Sequence, residues 1–137
     1  MTTRFVPSVC SYCGSGCGVL FQVAGERIVA TQPNPASPVN QGKLCIKGWN
    51  LHEHAHAPGR LTQALMRPDR GAALAPVSRE NAFAYLARGL KDTVAAHGPD
   101  SVAMLASARI SNEENYLAQK FMRAVIGTNN VDHCARL

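Results

Sequence analysis

The sequence predicts an α+β chain, in which a small β-rich unit over residues 1–60 is followed by the beginning of an α/β layer over residues 61–137. Three observations predict it. Four cysteines, spaced Cys10-x2-Cys13-x3-Cys17 and then Cys45, punctuate a first segment rich in Gly and Pro, which suits turns rather than helices. Two β-branched, apolar stretches lie between those cysteines. The second half instead runs helical periodicity, a short apolar run and helical periodicity again, the order of an α/β layer.

The elements follow in order. Val19–Val23 and Arg27–Ala30, separated by Ala24-Gly25-Glu26, read as a hairpin that holds the cysteine loop rigid. Pro33, Pro35 and Pro38 make Gln32–Gln41 a loop that returns the chain to Cys45. Trp49–Ala57 is expected as a short helix ended by Pro58-Gly59, and Leu61–Arg67 leads into a turn at Pro68-Asp69-Arg70-Gly71. Ser78 caps a helix over Arg79–His97 with Phe83, Leu86, Leu90 and Val94 on one face and Gly98-Pro99 as its stop. Ser101–Ala106, nearly unbroken in apolar character, suits a buried parallel strand. Ser111-x-x-Glu114 is a capping box for a second helix, whose apolar face is Leu117, Phe121, Ala124 and Val125 and whose end is Gly127. No partner strand is evident for the apolar run, and the tail Val131–Leu137 carries no polar terminator, so the domain is expected to continue.

Composition sets limits on function. The 137 residues suffice for one ordinary domain or two small ones. With 46% hydrophobic and 17% charged residues, and no apolar run near the ~18 residues that span a bilayer, the chain reads as globular with no transmembrane segment. Fourteen basic against nine acidic residues leave a net charge of +5. These charges are scattered, without a Lys/Arg cluster or basic-aromatic alternation, so no nucleic-acid partner is expected.

The cysteines carry the chemistry. Three thiolates on one Gly-rich loop can hold three corners of a compact iron–sulfur cluster, and a distant fourth closes the last corner while tying two segments together. In Cys13-Gly14-Ser15-Gly16-Cys17-Gly18 the glycines let backbone amides approach a negatively charged group. Zinc usually draws on two knuckles of paired ligands, and here the second offers Cys45 alone, with His52, His54 or His56 as substitutes. Those histidines alternate at period two and splay apart on a helix, so they read as solvated surface groups. A disulfide framework needs an oxidising compartment, and Met1–Cys10 shows neither a signal-peptide pattern nor twin arginines. The reading is one [4Fe–4S] cluster. A free-standing ferredoxin-like electron carrier and a zinc-stapled structural module are the rival readings of the whole chain.

Four stretches, Val9–Cys17, Asn40–Gly48, Ser107–Tyr116 and Ala124–Asp132, together resemble the N-terminal part of molybdopterin-dependent formate dehydrogenase catalytic subunits, in the larger family of bis-molybdopterin-guanine-dinucleotide oxidoreductases. The resemblance implies that Cys10, Cys13, Cys17 and Cys45 ligate the [4Fe–4S] cluster. It also implies that the cluster exchanges electrons with a molybdenum or tungsten bis-molybdopterin guanine dinucleotide, and that formate and CO2 interconvert there. Lys47 matches the family's lysine between cluster and nearer pterin, an electron relay. An ammonium there offsets the cluster's charge. Ser107, Arg109 and Asn112, at a strand-to-helix junction, are the candidates for contacts near the pterin. Pairing of Arg109 with a neighbouring acid is the equal alternative, and Glu113 and Glu114 read as helix N-terminal charges. Implied partners are electron-transfer subunits or hydrogenase components, in the cytoplasm.

The sequence departs from the family in places. Ser78-Arg79-Glu80-Asn81 stands where many relatives carry Trp-Asp-Glu, and Cys134 lies just upstream of the family's metal-binding cysteine or selenocysteine, which the resemblance places immediately beyond Leu137. The sequence is thus expected to stop one residue short of its chemistry, as a reading of a UGA selenocysteine codon as a stop would produce, and to be inactive alone.

Overall fold

A computed structural model gives the structure of residues 2–134, the side chain of Cys134 apart; the expectation for the tail beyond it lies outside the described residues. The chain divides into two compact units. One gathers Met1–Arg60, Leu105–Ala118 and His133–Leu137, the other Leu61–Met104 and Gln119–Asp132.

In the first unit, β1 (Thr3–Val9), β2 (Gly18–Ala24) and β3 (Arg27–Pro33) form an antiparallel sheet in that order. The β2–β3 hairpin is the expected one, with a register shift between Gln22 and Val23. Strand β1 is an addition to the sequence reading. It pairs with all of β2, from Thr3 opposite Ala24 to Val9 opposite Gly18. Pro7 breaks its alternation in the sequence, yet an edge strand tolerates proline because only one side of it is paired. The core is small: Cys10, Val19 and Leu51 are buried together, with Tyr12, Cys17, Phe21 and Leu44 packed against them. Two of the four cysteines therefore belong to the apolar core as well as to the loop.

The expected helix over Trp49–Ala57 is not what forms. A single turn, α1 (Ile46–Trp49), begins directly after Cys45, and a 3-10 turn follows at Glu53–His56. The break has a physical reason in β3. Thr31, 3% exposed, accepts the His52 amide at 3.1 Å and lies 3.2 Å from His52 Nδ1, while the Ile28 amide donates to His56 Nε2 at 3.0 Å. The first of these takes the His52 amide that helix continuation would use. These bonds also correct the reading of the histidines: His54 and His56 are exposed, but His52 is half-buried, and His52 and His56 serve as ties to the sheet.

In the second unit, β4 (Ala64–Met66) and β5 (Ala75–Val77) form an antiparallel hairpin around the predicted turn, where Asp69 Oδ1 accepts the Gly71 and Ala72 amides. Helix α2 (Arg79–His97) has the expected limits: Ser78 Oγ accepts the Asn81 amide at 3.1 Å, and Gly98 ends it at φ +80°. Of its predicted apolar face, Leu90 and Val94 are half-buried, whereas Phe83 and Leu86 are exposed.

Strand β6 (Met104–Ser107) starts later than expected, after a 3-10 turn at Pro99–Ser101, and is not buried, for Leu105 is 85% exposed. Nor is it without a partner, since β7 (Val131–Cys134) pairs with it. Helix α3 (Asn112–Phe121) opens with the predicted capping box, in which Glu114 Oε2 accepts the Ser111 amide at 2.7 Å and Ser111 Oγ accepts the Glu114 amide at 3.2 Å. It then widens into a π turn, Met122–Ile126, before Gly127. The wider turn rotates later residues around the axis, and Ala124 and Val125 of the predicted face are exposed there; ahead of it Leu117 is exposed and Phe121 half-buried, while Met122 is buried.

Candidate metal centre

The first unit brings the ends of the cysteine segment together by backbone bonds. The Cys10 amide donates to the Cys17 carbonyl at 2.8 Å, closing the loop as a continuation of the β1–β2 pairing. Inside it, Gly16 takes φ +70°, a left-handed conformation that a side chain disfavours. Asn40 brings in the fourth cysteine. Its Oδ1 accepts the Gly18 amide at 2.8 Å, and its Nδ2 donates to the carbonyls of Gly18 at 3.1 Å and Lys43 at 2.7 Å. One side chain thus spans from the residue after Cys17 to the segment that leads into Cys45. The approach is close: a Cβ on Gly18 would stand 2.5 Å from Ser37 Cβ.

The result is a hollow of about 370 Å³ lined by Cys10, Cys13, Cys17 and Cys45, together with Tyr12, Ser15, Lys47 and Arg109. All four thiols are free. Among the described residues no group of three or more His, Cys, Asp or Glu side chains is placed to hold a metal ion. Four thiols lining one cavity are the donor set that a [4Fe–4S] cluster takes.

The electrostatics of the hollow favour thiolate ligands unevenly. At Cys13 a hydrogen bond from the Ser15 hydroxyl, 3.4 Å away, and another from the Ser15 backbone lower the pKa, with Lys47 and Arg109 adding positive potential. At Cys45 the backbone amides of Gly48 and Lys47, in the single turn that follows, do the same. Cys17 moves the other way, because burial and then the neighbouring thiolates oppose its charge. A cluster would relieve that opposition by binding all the sulfurs to iron.

The predicted site residues part company around this hollow. Lys47 and Arg109 line it and also line a second hollow of about 330 Å³, shared with Ser11, Tyr12, Asn50, Leu51 and His54. Ser107 and Asn112 line neither. Ser107 Oγ accepts the Arg109 amide at 3.0 Å, and its carbonyl accepts Asn115 Nδ2 at 3.2 Å. Asn112 Nδ2 donates to the Gly14 carbonyl at 2.7 Å, across 98 residues of sequence. The two thus hold backbone, one behind Arg109 and the other in the cysteine loop. Arg109 has Tyr12 as its partner among the described residues: Nη1 donates to Tyr12 Oη at 2.7 Å.

Sequence reasoning passed over Tyr12, Ser15, Ser37 and Asn40. For Tyr12 and Ser15 there was a signal, their position between ligands on a tight loop. Asn40 stood at the head of a stretch that carries the resemblance, while Ser37 had no signal; each acts on Gly18 from a distant loop.

Residues 3–57 match the molybdopterin oxidoreductase Fe4S4 domain, and residues 60–137 match the family described as molybdopterin oxidoreductase. Among individual proteins, the chain is 43% identical over 137 residues to an F420-dependent formate dehydrogenase 1 subunit alpha of Methanococcus maripaludis, covering 100% of this chain and 19% of that protein. Formate dehydrogenase H of Escherichia coli is 42% identical, with 96% of this chain and 19% of that protein covered. A periplasmic nitrate reductase of Desulfovibrio desulfuricans is 40% identical, with coverage of 98% and 18%. The chain spans about a fifth of the length of these relatives.

Proposed function

Because the chain belongs to the molybdopterin oxidoreductase family, we propose that Cys10, Cys13, Cys17 and Cys45 hold one [4Fe–4S] cluster and that the whole protein is the alpha subunit of a formate dehydrogenase. What supports the cluster is a single observation: four free thiols line one hollow with two cations beside them. What supports formate is the likeness to formate dehydrogenases of both Methanococcus maripaludis and Escherichia coli. When bound, a molybdenum or tungsten bis-molybdopterin guanine dinucleotide would supply the redox chemistry with formate, and a cluster held by Cys10, Cys13, Cys17 and Cys45 would supply one-electron capacity beside it.

The chain's own residues bind and tune. Cys45 receives amide hydrogen bonds from the turn that follows it. Such bonds to sulfur stabilise the more negative, reduced state of a cluster. Lys47, bordering both hollows, keeps a positive charge on the path between them and is our candidate for the electron relay. Ser107 and Asn112 act through backbone, so Arg109 is the residue of that group left for a cofactor contact. Electron-transfer subunits or hydrogenase components are the expected partners. A cytoplasmic location agrees with thiols that must stay reduced until a cluster is loaded.

The test is to express the whole protein anaerobically and measure formate-dependent reduction of a viologen dye alongside nitrate-dependent oxidation of the reduced dye. Formate activity that disappears together with the iron–sulfur signal in Cys45→Ala supports the proposal. Nitrate activity without formate activity overturns the substrate, and full iron and sulfide content in Cys45→Ala overturns the ligand set.

A further inference from the structure

Tyr12 sits between Cys10 and Cys13, and two cationic side chains converge on it through three contacts. Lys47 Nζ lies over its ring, 5.1 Å from the centroid. Arg109 Cζ lies at the same 5.1 Å, and Arg109 Nη1 donates to its hydroxyl at 2.7 Å. Both distances are within the roughly 6 Å at which a cation is held by an aromatic face. The ring itself is anchored, packed against the buried Cys10, Val19 and Leu51. Tyr12, Lys47 and Arg109 are also residues common to the thiol-lined hollow and the one beside it.

We propose that Tyr12 is a positioning residue which fixes the Lys47 and Arg109 charges beside the thiol-lined hollow and thereby raises the reduction potential of the group bound there. The inference rests on the reading of the four cysteines as ligands of an iron–sulfur cluster. Lysine and arginine carry long, rotatable side chains, and unheld they would extend into water, where their charge is screened. A ring fixed by the core gives each a seat at a set distance from the cysteines. Four thiolates leave a cluster with net negative charge that grows when it takes an electron, so a nearby cation favours the reduced form. Without Tyr12 that preference weakens, although neither Lys47 nor Arg109 has been changed. The two parts of the side chain have separable duties. The hydroxyl aligns Arg109, and the ring face seats both cations.

The experiment compares whole, anaerobically purified protein with Tyr12→Phe and Tyr12→Leu, measuring iron and sulfide content and, separately, the cluster's midpoint potential by redox titration followed by electron paramagnetic resonance. Tyr12→Phe, which keeps the ring and loses the hydroxyl, is expected to retain its iron and move to a more negative potential, lowering the reduced-to-oxidised ratio several-fold at a fixed poise. Tyr12→Leu is expected to move further in the same direction. A purely structural tyrosine would change the iron content and leave the potential of the remaining clusters unmoved. If Tyr12→Leu does not assemble, Tyr12→Phe alone decides. A cluster in the parent protein with an unshifted potential in Tyr12→Phe overturns this inference and leaves the ligand reading standing. A parent protein with no cluster overturns both.

Discussion

Replacing Asn40 with Ala removes the side chain that joins the third cysteine to the fourth, and the cost can be worked from its bonds. Three are lost, to the Gly18 amide, the Gly18 carbonyl and the Lys43 carbonyl, the first two part-buried and the third exposed. At about 1 kcal/mol net for each part-buried bond and less for the exposed one, the loss is about 2–3 kcal/mol. The Gly18 amide keeps a long second acceptor in Ser37 Oγ at 3.3 Å, which moves the expectation toward the lower figure. Asn40→Asp is the informative companion. It keeps the acceptor for the Gly18 amide but turns a carboxylate oxygen toward two carbonyls, so its loss should be at least as large as that of Ala despite the near-identical shape. Urea titration of the metal-free whole protein reads the stability, with a lower midpoint at unchanged slope as the expected result. Release of iron to a chelator from the loaded protein reads the consequence for the site and should be faster in both variants. An Asn40→Ala protein that matches the parent in midpoint and in iron release would refute the reasoning that this side chain holds Cys45 against Cys17.

Other predictions concern the same framework. Gly18→Ala places a Cβ 2.5 Å from Ser37 Cβ, and overpacking of that kind costs about 1–3 kcal/mol in thermal or urea unfolding; Ser37→Gly should recover part of the loss. Ser111→Ala removes the acceptor for the Glu114 amide at the start of α3, for about 1 kcal/mol, with a matching decrease in amide hydrogen-exchange protection over that first turn. In the metal-free protein, Cys13 and Cys45 have lowered pKa values and Cys17 a raised one. Since the thiolate is the reactive form, alkylation followed by mass spectrometry on a rising pH series should label Cys13 and Cys45 before Cys17; the reverse order would contradict the electrostatics described above.

Much of the framework was legible because it is local. Ser78 and Asn81, Ser111 and Glu114, and Gly98 and Gly127 set helix ends through partners a few residues away or through their own φ. The four cysteines and Lys47 could be singled out from spacing and resemblance. The missed elements have distant partners. Strand β1 carries Pro7 and shows little alternation, and it becomes a strand because β2 offers it a full register. The helix expected over Trp49–Ala57 yields to Thr31 of β3, which takes the His52 amide, while Ile28 of the same strand ties down the His56 side chain. The π turn at Met122–Ile126 rotates an apolar face that a period of 3.6 residues had placed elsewhere.

The sequence by itself determined the capped ends of α2 and α3 and which side chains offer thiolates, because capping chemistry and thiolate chemistry belong to the residues themselves. Only the tertiary structure decided what gathers around the thiols. Tyr12 meets Arg109 across 97 positions, and Gly14 meets Asn112 across 98. Contacts at such separations follow from how the chain closes on itself, and the chemical character of neighbours along the sequence carries no record of them.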